Sequence, residues 1–118
     1  MTIAIDFDET IAFSKFPDIQ GMRPFADKVI HEWRSRGHYI IVWTCRCGGD
    51  LVAAVNFMLE NGIEFDRIND NRPSDVAKYG GSNSRKVNAD IYIDDHNLGG
   101  FPGWIEAKKI VDKMELTL

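Results

Sequence analysis

The apolar residues of this chain follow two patterns that alternate along its length. Four short runs are largely apolar, which is typical of buried strands; one begins at Thr2, and the others lie at residues 38–44, 63–68 and 89–94. Three longer segments carry apolar residues at helical spacing; they lie at residues 22–36, 51–61 and 104–114. Strands that alternate with helices predict an α/β fold with a mostly parallel sheet and right-handed crossovers.

Turn and capping residues support these boundaries. Gly37 and Gly62 follow the first two helices, and Asp50 precedes the second as a potential amino-terminal cap. Pro24 is expected in the first turn of the first helix, where proline is tolerated. Two segments have neither pattern. Residues 11–21 are expected to be irregular, and residues 69–85 form a polar loop with a helical turn near residues 74–79.

Composition sets the class of protein. The 118 residues form one expected domain, 1–118, which is long enough to bury a core. A net charge of −4 argues against an electrostatic grip on bulk nucleic acid. No apolar run is long enough for a membrane span, and no signal peptide is recognised, so the expected location is cytoplasmic with no membrane partner. Cys45 and Cys47 are expected to be reduced thiols, and their role is open.

The most informative residues follow the first strand. Asp6 and Asp8 lie one residue apart at its carboxyl end. In open α/β sheets this edge is where ligands bind. Paired carboxylates disfavour each other's ionisation, so a cation or a reaction is needed to explain them there.

Later strands end in residues that complete a set. Thr44 ends the second strand, Lys86 precedes the last strand, and Asp94 and Asp95 follow it. In this order the motifs resemble those of the haloacid dehalogenase (HAD) superfamily of aspartate-nucleophile phosphohydrolases, over residues 2–97. The resemblance implies a doubly wound, Rossmann-like sheet with the strands in the order third, second, first, fourth.

The resemblance also implies a mechanism. Asp6 would attack phosphorus, form an aspartyl-phosphate and coordinate Mg²⁺. Asp8 would be the general acid and base and would offer its backbone carbonyl to the metal. Asp95 would be a direct metal ligand, and Asp94 would hold a metal-bound water or orient the lysine. Hard oxygen ligands of this kind suit Mg²⁺.

The remaining candidates would bind the substrate's phosphate. Thr44 would donate from its hydroxyl and its backbone amide, and Arg46 is placed to reach the same anion. Lys86 would neutralise the charge of the nucleophile and the phosphate, with Lys78 as the alternative lysine. The phosphorylated substrate itself is left open among a nucleotide or polynucleotide end, a phosphoprotein and a sugar phosphate.

Many HAD enzymes carry an inserted cap domain that closes over a small substrate. In this chain the two segments where a cap would be inserted, residues 13–21 and the loop before Lys86, are too short to form one. A capless member implies either a bulky substrate or a lid supplied by a neighbouring subunit of a homo-oligomer.

Two other functions use similar residues. A receiver-like phospho-signalling module also has an acidic pair, a phosphoacceptor Asp, a Thr and a Lys, but its acidic pair follows the first strand and its Lys follows the last. A HAD-fold protein that binds phosphate without catalysis is the second alternative.

Overall fold

The computed structural model describes residues 1–117. Its secondary structure begins with a strand and ends with a helix. In chain order the elements are β1 (Thr2–Ile5), β2 (Ala12–Lys15), β3 (Asp18–Met22), α1 (Ala26–Ser35), β4 (Tyr39–Val42), α2 (Gly48–Glu60), β5 (Arg67–Ile68), α3 (Pro73–Lys78), β6 (Ile91–Ile93) and α4 (Trp104–Glu115).

Four of the strands form a parallel sheet in the order β5-β4-β1-β6. The predicted α/β class, the parallel pairing and the strand order are confirmed. β1 is central because it pairs with both β4 and β6, and all four of its residues are buried. An apolar run with no polar alternation is expected for a strand that is covered on both faces.

The two faces of the sheet are covered unequally. On one face, apolar residues of α1, α2 and α4 pack with alternate residues of β1 and β4 into the main core, whose largest fully buried side chain is Trp33. On the other face, Ala4 and Ile41 pack against Val87. The polar segment 69–90, which contains α3, therefore covers the second face more thinly.

The segment predicted to be irregular is a hairpin. β2 and β3 pair antiparallel, and Phe16 and Pro17 form the turn between them with a cis peptide bond. The prediction for residues 11–21 was wrong because the two strands are only four and five residues long and bury one residue, Ala12, so they lack the apolar run that marks a strand in the sequence. The turn also lacks the Asn-Gly or Asp-Gly pair that would signal a hairpin.

Other boundaries also differ from the prediction, and the strands observed as β4 and β6 are shorter at both ends than the predicted runs 38–44 and 89–94. Helix α1 begins at Ala26 and not at residue 22, because Phe25 adopts a left-handed backbone conformation with φ of 70° that a helix cannot include. Helix α2 begins at Gly48, so Asp50 lies in its first turn and is not its cap. The third strand, β5, has only two residues, since most of the predicted run 63–68 forms the approach to it.

Helix α4 is joined to the loop after β1 by one side chain. Trp104 is buried, and its indole Nε1 donates a hydrogen bond of 2.8 Å to the backbone carbonyl of Thr10. Its ring lies 5.9 Å from that of Trp33 and 5.4 Å from that of Phe101. The last helix of the chain therefore fixes the first loop of the sheet.

Within residues 1–117, no helix has the length and apolar character needed to cross a membrane.

Replacing Trp104 should separate packing from hydrogen bonding. Trp104→Phe keeps most of the ring but leaves the buried Thr10 carbonyl unpaired, and we expect a loss of about 1–3 kcal/mol in the free energy of unfolding. Trp104→Ala also removes the packing, with an expected loss of about 3–5 kcal/mol. Urea denaturation measures both.

Ile105→Ala is the control on the same helix, because Ile105 is half exposed, and it should change stability by less than about 0.5 kcal/mol. Equal stability of Trp104→Phe and the unmodified protein would show that the hydrogen bond to Thr10 contributes nothing.

Candidate functional site

The sheet register brings three strand ends to the same level. Ile5, the last residue of β1, is paired with Val42 on one side and with Ile93 on the other. The pairing continues one residue further, since the backbone N–H of Asp6 donates to the carbonyl of Ile93 at 2.8 Å. Asp6 therefore lies beside Asp94, which follows Ile93.

The carboxylates of Asp6, Asp94 and Asp95 form a compact cluster. Each offers an oxygen atom, and these three atoms all lie within 4.8 Å of one another. All three residues are partly buried, so the cluster faces the edge of the sheet without being fully open to water. A set of hard oxygen donors at this spacing fits a divalent cation such as Mg²⁺.

The cluster is electrostatically unfavourable without a cation. The pKa of Asp6 is raised to about 8, mainly by burial and further by the hydrogen bond with Asp95 and the negative charges of Asp94 and Asp95, while the backbone N–H of Phe7 acts to lower it. Carboxylates that share a site cannot all ionise at low energy. A bound cation would remove this conflict.

Thr10 connects the two halves of the cluster. Its hydroxyl donates to Asp6 Oδ2 at 3.4 Å and accepts from the backbone N–H of Asp95 at 3.2 Å. Thr10 is fully buried, and its carbonyl is the acceptor for Trp104. This residue therefore fixes the loop after β1 to the loop after β6, from a buried position beneath the carboxylates.

Asp8 is turned to a different partner. Its carboxylate accepts two hydrogen bonds from the guanidinium of Arg46, from Nε at 2.9 Å and from Nη2 at 2.7 Å. It is not part of the cluster of three carboxylates. Burial acts to raise the pKa of Asp8, but the hydrogen bonds of Arg46, the contact with Ser14 and the charge of Arg46 outweigh it and hold the pKa below its usual value. In this arrangement Asp8 is ionised, as a general base must be.

The expectation that Arg46 reaches the substrate's phosphate is not met by this geometry. Its side chain is fully buried, and besides Asp8 it donates to the backbone carbonyls of Asp50 and Pro17. The sequence did not reveal the partner of Arg46, because the pairing with Asp8 spans 38 positions.

The backbone of Thr44 is hydrogen-bonded by the side chain of a residue that no sequence motif indicated. Asn69 accepts from the backbone N–H of Thr44 at 2.8 Å and donates to its carbonyl at 2.7 Å. The N–H of Thr44 was expected to bind phosphate, and here it is already occupied. The hydroxyl of Thr44 accepts from the N–H of Arg46 at 3.1 Å, which leaves its own hydrogen free for a ligand. Asn69 has a positive φ of 51°, a backbone conformation that asparagine tolerates better than most residues. The residue type at this position therefore fits both the turn and the contact with Thr44.

The two candidate lysines lie outside the cluster. Lys86 is exposed, and its Nζ lies 5.3 Å from the centre of the Tyr92 ring. Lys78 lies over Tyr79 in the same way, at 5.7 Å. Among residues 1–117, the ion pairs include none between a lysine and the clustered carboxylates. The role of Lys86 as the neutralising cation stays a prediction.

Both cysteines are free and exposed, as expected from their spacing. They flank Arg46 in the loop that leads from β4 to α2. Among the described residues, neither belongs to the carboxylate cluster.

Comparison with known proteins identifies a structural relative. Neither a family model nor a curated protein matches this chain. The solved structure of a conserved protein coded by a locus of Bacteroides thetaiotaomicron matches with a TM-score of 0.85 and 35% sequence identity. The match covers 97% of this chain and 91% of the Bacteroides chain. At this identity and coverage, the chain belongs to the same family as that conserved protein.

Proposed function

We propose that this protein is a Mg²⁺-dependent phosphohydrolase of the HAD type, with Asp6 as its nucleophile. One observation carries the proposal. Asp6, Asp94 and Asp95 converge at the carboxyl edge of a parallel sheet, where such folds bind ligands. Thr44 lies two residues beyond the end of β4, which neighbours β1 in the sheet.

The donor set fits the proposed metal. Three carboxylate oxygens within 4.8 Å can hold a small hard cation that keeps several of its waters. Asp6 and Asp95 are the proposed direct ligands, with the backbone carbonyl of Asp8, and Asp94 is proposed to act through a bound water. When present, the cation would offset the repulsion within the cluster and the negative charge of a phosphoryl group.

The chain's own residues would divide the reaction into two steps. In the first, an Asp6 oxygen attacks phosphorus, the bond from phosphorus to the leaving oxygen breaks, and that oxygen takes a proton from water, because Asp8 is ionised beside Arg46. In the second, Asp8 removes a proton from a water that attacks the aspartyl-phosphate, and the bond from phosphorus to Asp6 breaks, which releases inorganic phosphate and restores Asp6; Asp8 then returns the proton to the solvent. The free hydrogen of the Thr44 hydroxyl would bind a phosphoryl oxygen.

Each alternative function has a distinct consequence. A receiver-like module would be phosphorylated once and would turn over slowly. A phosphate-binding protein would hold the anion without forming any covalent bond to Asp6. Trapping of a phosphorylated residue and measurement of repeated turnover separate all three.

The surroundings of the site bear on its substrates. The hairpin β2–β3 and the segment 69–90 are the insertions nearest to it, and neither forms a domain. An open site of this kind needs a wall from elsewhere to exclude water from a small substrate. A phosphoprotein or a polynucleotide end would provide its own cover, whereas a sugar phosphate or nucleotide would require a second subunit.

Binding of Mg²⁺ should stabilise the protein. At a concentration about 100-fold above its Kd, the cation should add about 2.7 kcal/mol to the free energy of unfolding, seen as a rise in Tm. Asp95→Asn should remove most of this rise. Glu106→Gln, a charge change at an exposed position of α4, should leave it intact. An undiminished rise in Asp95→Asn would exclude this cluster as the binding site.

The stabilisation by Mg²⁺ should also grow with pH. The pKa of Asp6 in the folded protein, about 8, lies above its ordinary value of 3.8. Its contribution to stability without metal is therefore present below pH 3.8 and is lost as pH rises towards 8. Because the cation replaces the lost proton, the rise in Tm with Mg²⁺ should be larger at pH 8 than at pH 5. Thermal denaturation at the two pH values measures the difference.

Asp6→Asn should abolish turnover of an aryl phosphate while the fold is kept. An amide of nearly the same size cannot form the acyl-phosphate, so we expect a loss of at least about 10³-fold in kcat, on the scale of catalytic nucleophiles. Circular dichroism checks the fold, and Glu106→Gln is again the control. Turnover close to that of the unmodified protein, or trapping of phosphate on a residue other than Asp6, would contradict the mechanism.

Substrate size should follow the state of association. A monomer in light scattering should prefer phosphorylated peptides or polynucleotide ends to small phosphate esters, whereas an oligomer should accept small esters. A strict monomer with kcat/KM above about 10⁵ M⁻¹s⁻¹ on a small ester, within the usual range of enzymes, would show that the open site needs no further wall.

A further inference from the structure

Arg46 makes more contacts than an ion pair with Asp8 requires. Its side chain is fully buried, and its guanidinium makes four hydrogen bonds. Two reach the Asp8 carboxylate, one reaches the carbonyl of Asp50 at 3.2 Å, and one reaches the carbonyl of Pro17 at 3.1 Å. A single planar group thus joins the loop after β1, the first turn of α2 and the turn of the hairpin.

Two phenylalanine rings enclose the same guanidinium. Its central carbon lies 5.2 Å from the centre of the Phe7 ring and 5.0 Å from that of the Phe16 ring. Phe7 is fully buried, whereas Phe16 is 64% exposed. The hairpin turn therefore supplies the outer cover of Arg46, and the core supplies the inner one. Both distances are within the range of cation–π attraction.

We propose that Arg46 is a positioning residue that couples the hairpin turn, Phe16 and Pro17, to the orientation of the Asp8 carboxylate. The proposal rests on the proposed function only for its effect on turnover. The guanidinium has a rigid fork, so it cannot follow the turn outward and keep both bonds to Asp8. Displacement of the turn and release of Asp8 therefore occur together.

The energetics favour a tight coupling. A buried charge that loses its partner is strongly destabilised, so Arg46 must either keep Asp8 or regain access to water. Phe16 is the exposed one of the two rings that cover Arg46, so we expect water to reach the guanidinium when Phe16 moves aside. The hairpin then acts on the reaction through Asp8 without contacting the carboxylate cluster.

Hydrogen exchange of the hairpin amides tests the coupling without any assay of activity. Arg46→Lys and Asp8→Asn should each accelerate exchange within residues 12–22 by about tenfold, because each breaks the same network. The double variant should exchange no faster than the faster single variant. Arg34→Lys is the matched control, since Arg34 makes a similar two-point contact with Asp66 outside the site.

A second variant avoids disturbance of the buried pair. Phe16→Ala removes an exposed ring and should leave the fold intact, yet it should accelerate exchange of the Arg46 Nε proton with water by about tenfold, as measured by NMR. Leu59→Ala, at an equally exposed position of α2, should leave this proton unchanged. Hairpin exchange that stays the same in Asp8→Asn, or additive effects in the double variant, would overturn the coupling.

Measurement of turnover distinguishes a positioning role of Arg46 from a purely structural one. Arg46→Ala should lower kcat for an aryl phosphate by at least about tenfold with little change in KM, and millimolar guanidinium should restore kcat by refilling the vacated site. The same ion should not alter Arg34→Ala. If the unmodified protein hydrolyses no phosphate ester, the proposed function fails while the exchange data still decide the coupling. An active protein whose Arg46→Ala variant keeps its kcat would overturn the coupling and leave the proposed function standing.

Discussion

Parallel pairing of β1 with both of its neighbours is the constraint on which the site depends. Because Ile5 is level with Val42 and Ile93, the first residues beyond β1 and β6 must lie side by side. A shift of one residue in either pairing would turn alternate side chains to the opposite face of the sheet and would bury carboxylates among apolar groups. The same register therefore builds the core and places Asp6 beside Asp94.

Burial has opposite outcomes for the carboxylate cluster and for the neighbouring Asp8. Among residues 1–117, the one ion pair of Asp6, Asp94 and Asp95 is that of Asp95 with the exposed His96, at 3.4 Å from Nε2 to Oδ2, and the pKa of Asp6 is raised. Asp8 is fully compensated by Arg46, and its pKa is lowered. Carboxylates two positions apart in the chain thus have opposite tendencies to ionise, an arrangement that is common where one site must both bind a cation and move a proton.

The sequence was informative about those parts of the structure that a local pattern of residues determines. Apolar runs and helical periodicity predicted the main elements, and the resemblance of the motifs implied the strand order. Together with the strand-end positions, this order predicted that Asp6, Asp94 and Asp95 would meet. Side-chain pairing across long stretches of chain carries no such pattern. The contacts of Arg46 with Asp8 and of Asn69 with Thr44 depend on how loops fold over one another. The hairpin was not predicted because its strands are short and bury one residue, Ala12, which leaves no apolar run in the sequence.

The two ends of the segment that follows β5 are held together by hydrogen bonds of an asparagine side chain. Asn71 is buried, donates to the carbonyl of Ser84 and accepts from the backbone N–H of Asn88, so the chain between them leaves and returns at nearly the same point. Asn69 lies just before Asn71 and holds Thr44. Loops whose ends are pinned together tolerate changes of length at little entropic cost. Residues 72–82, which lie beyond the Asn71–Asn83 hydrogen bond, can therefore diverge or lengthen while the edge of the sheet that carries Asp6, Asp94 and Asp95 stays in place.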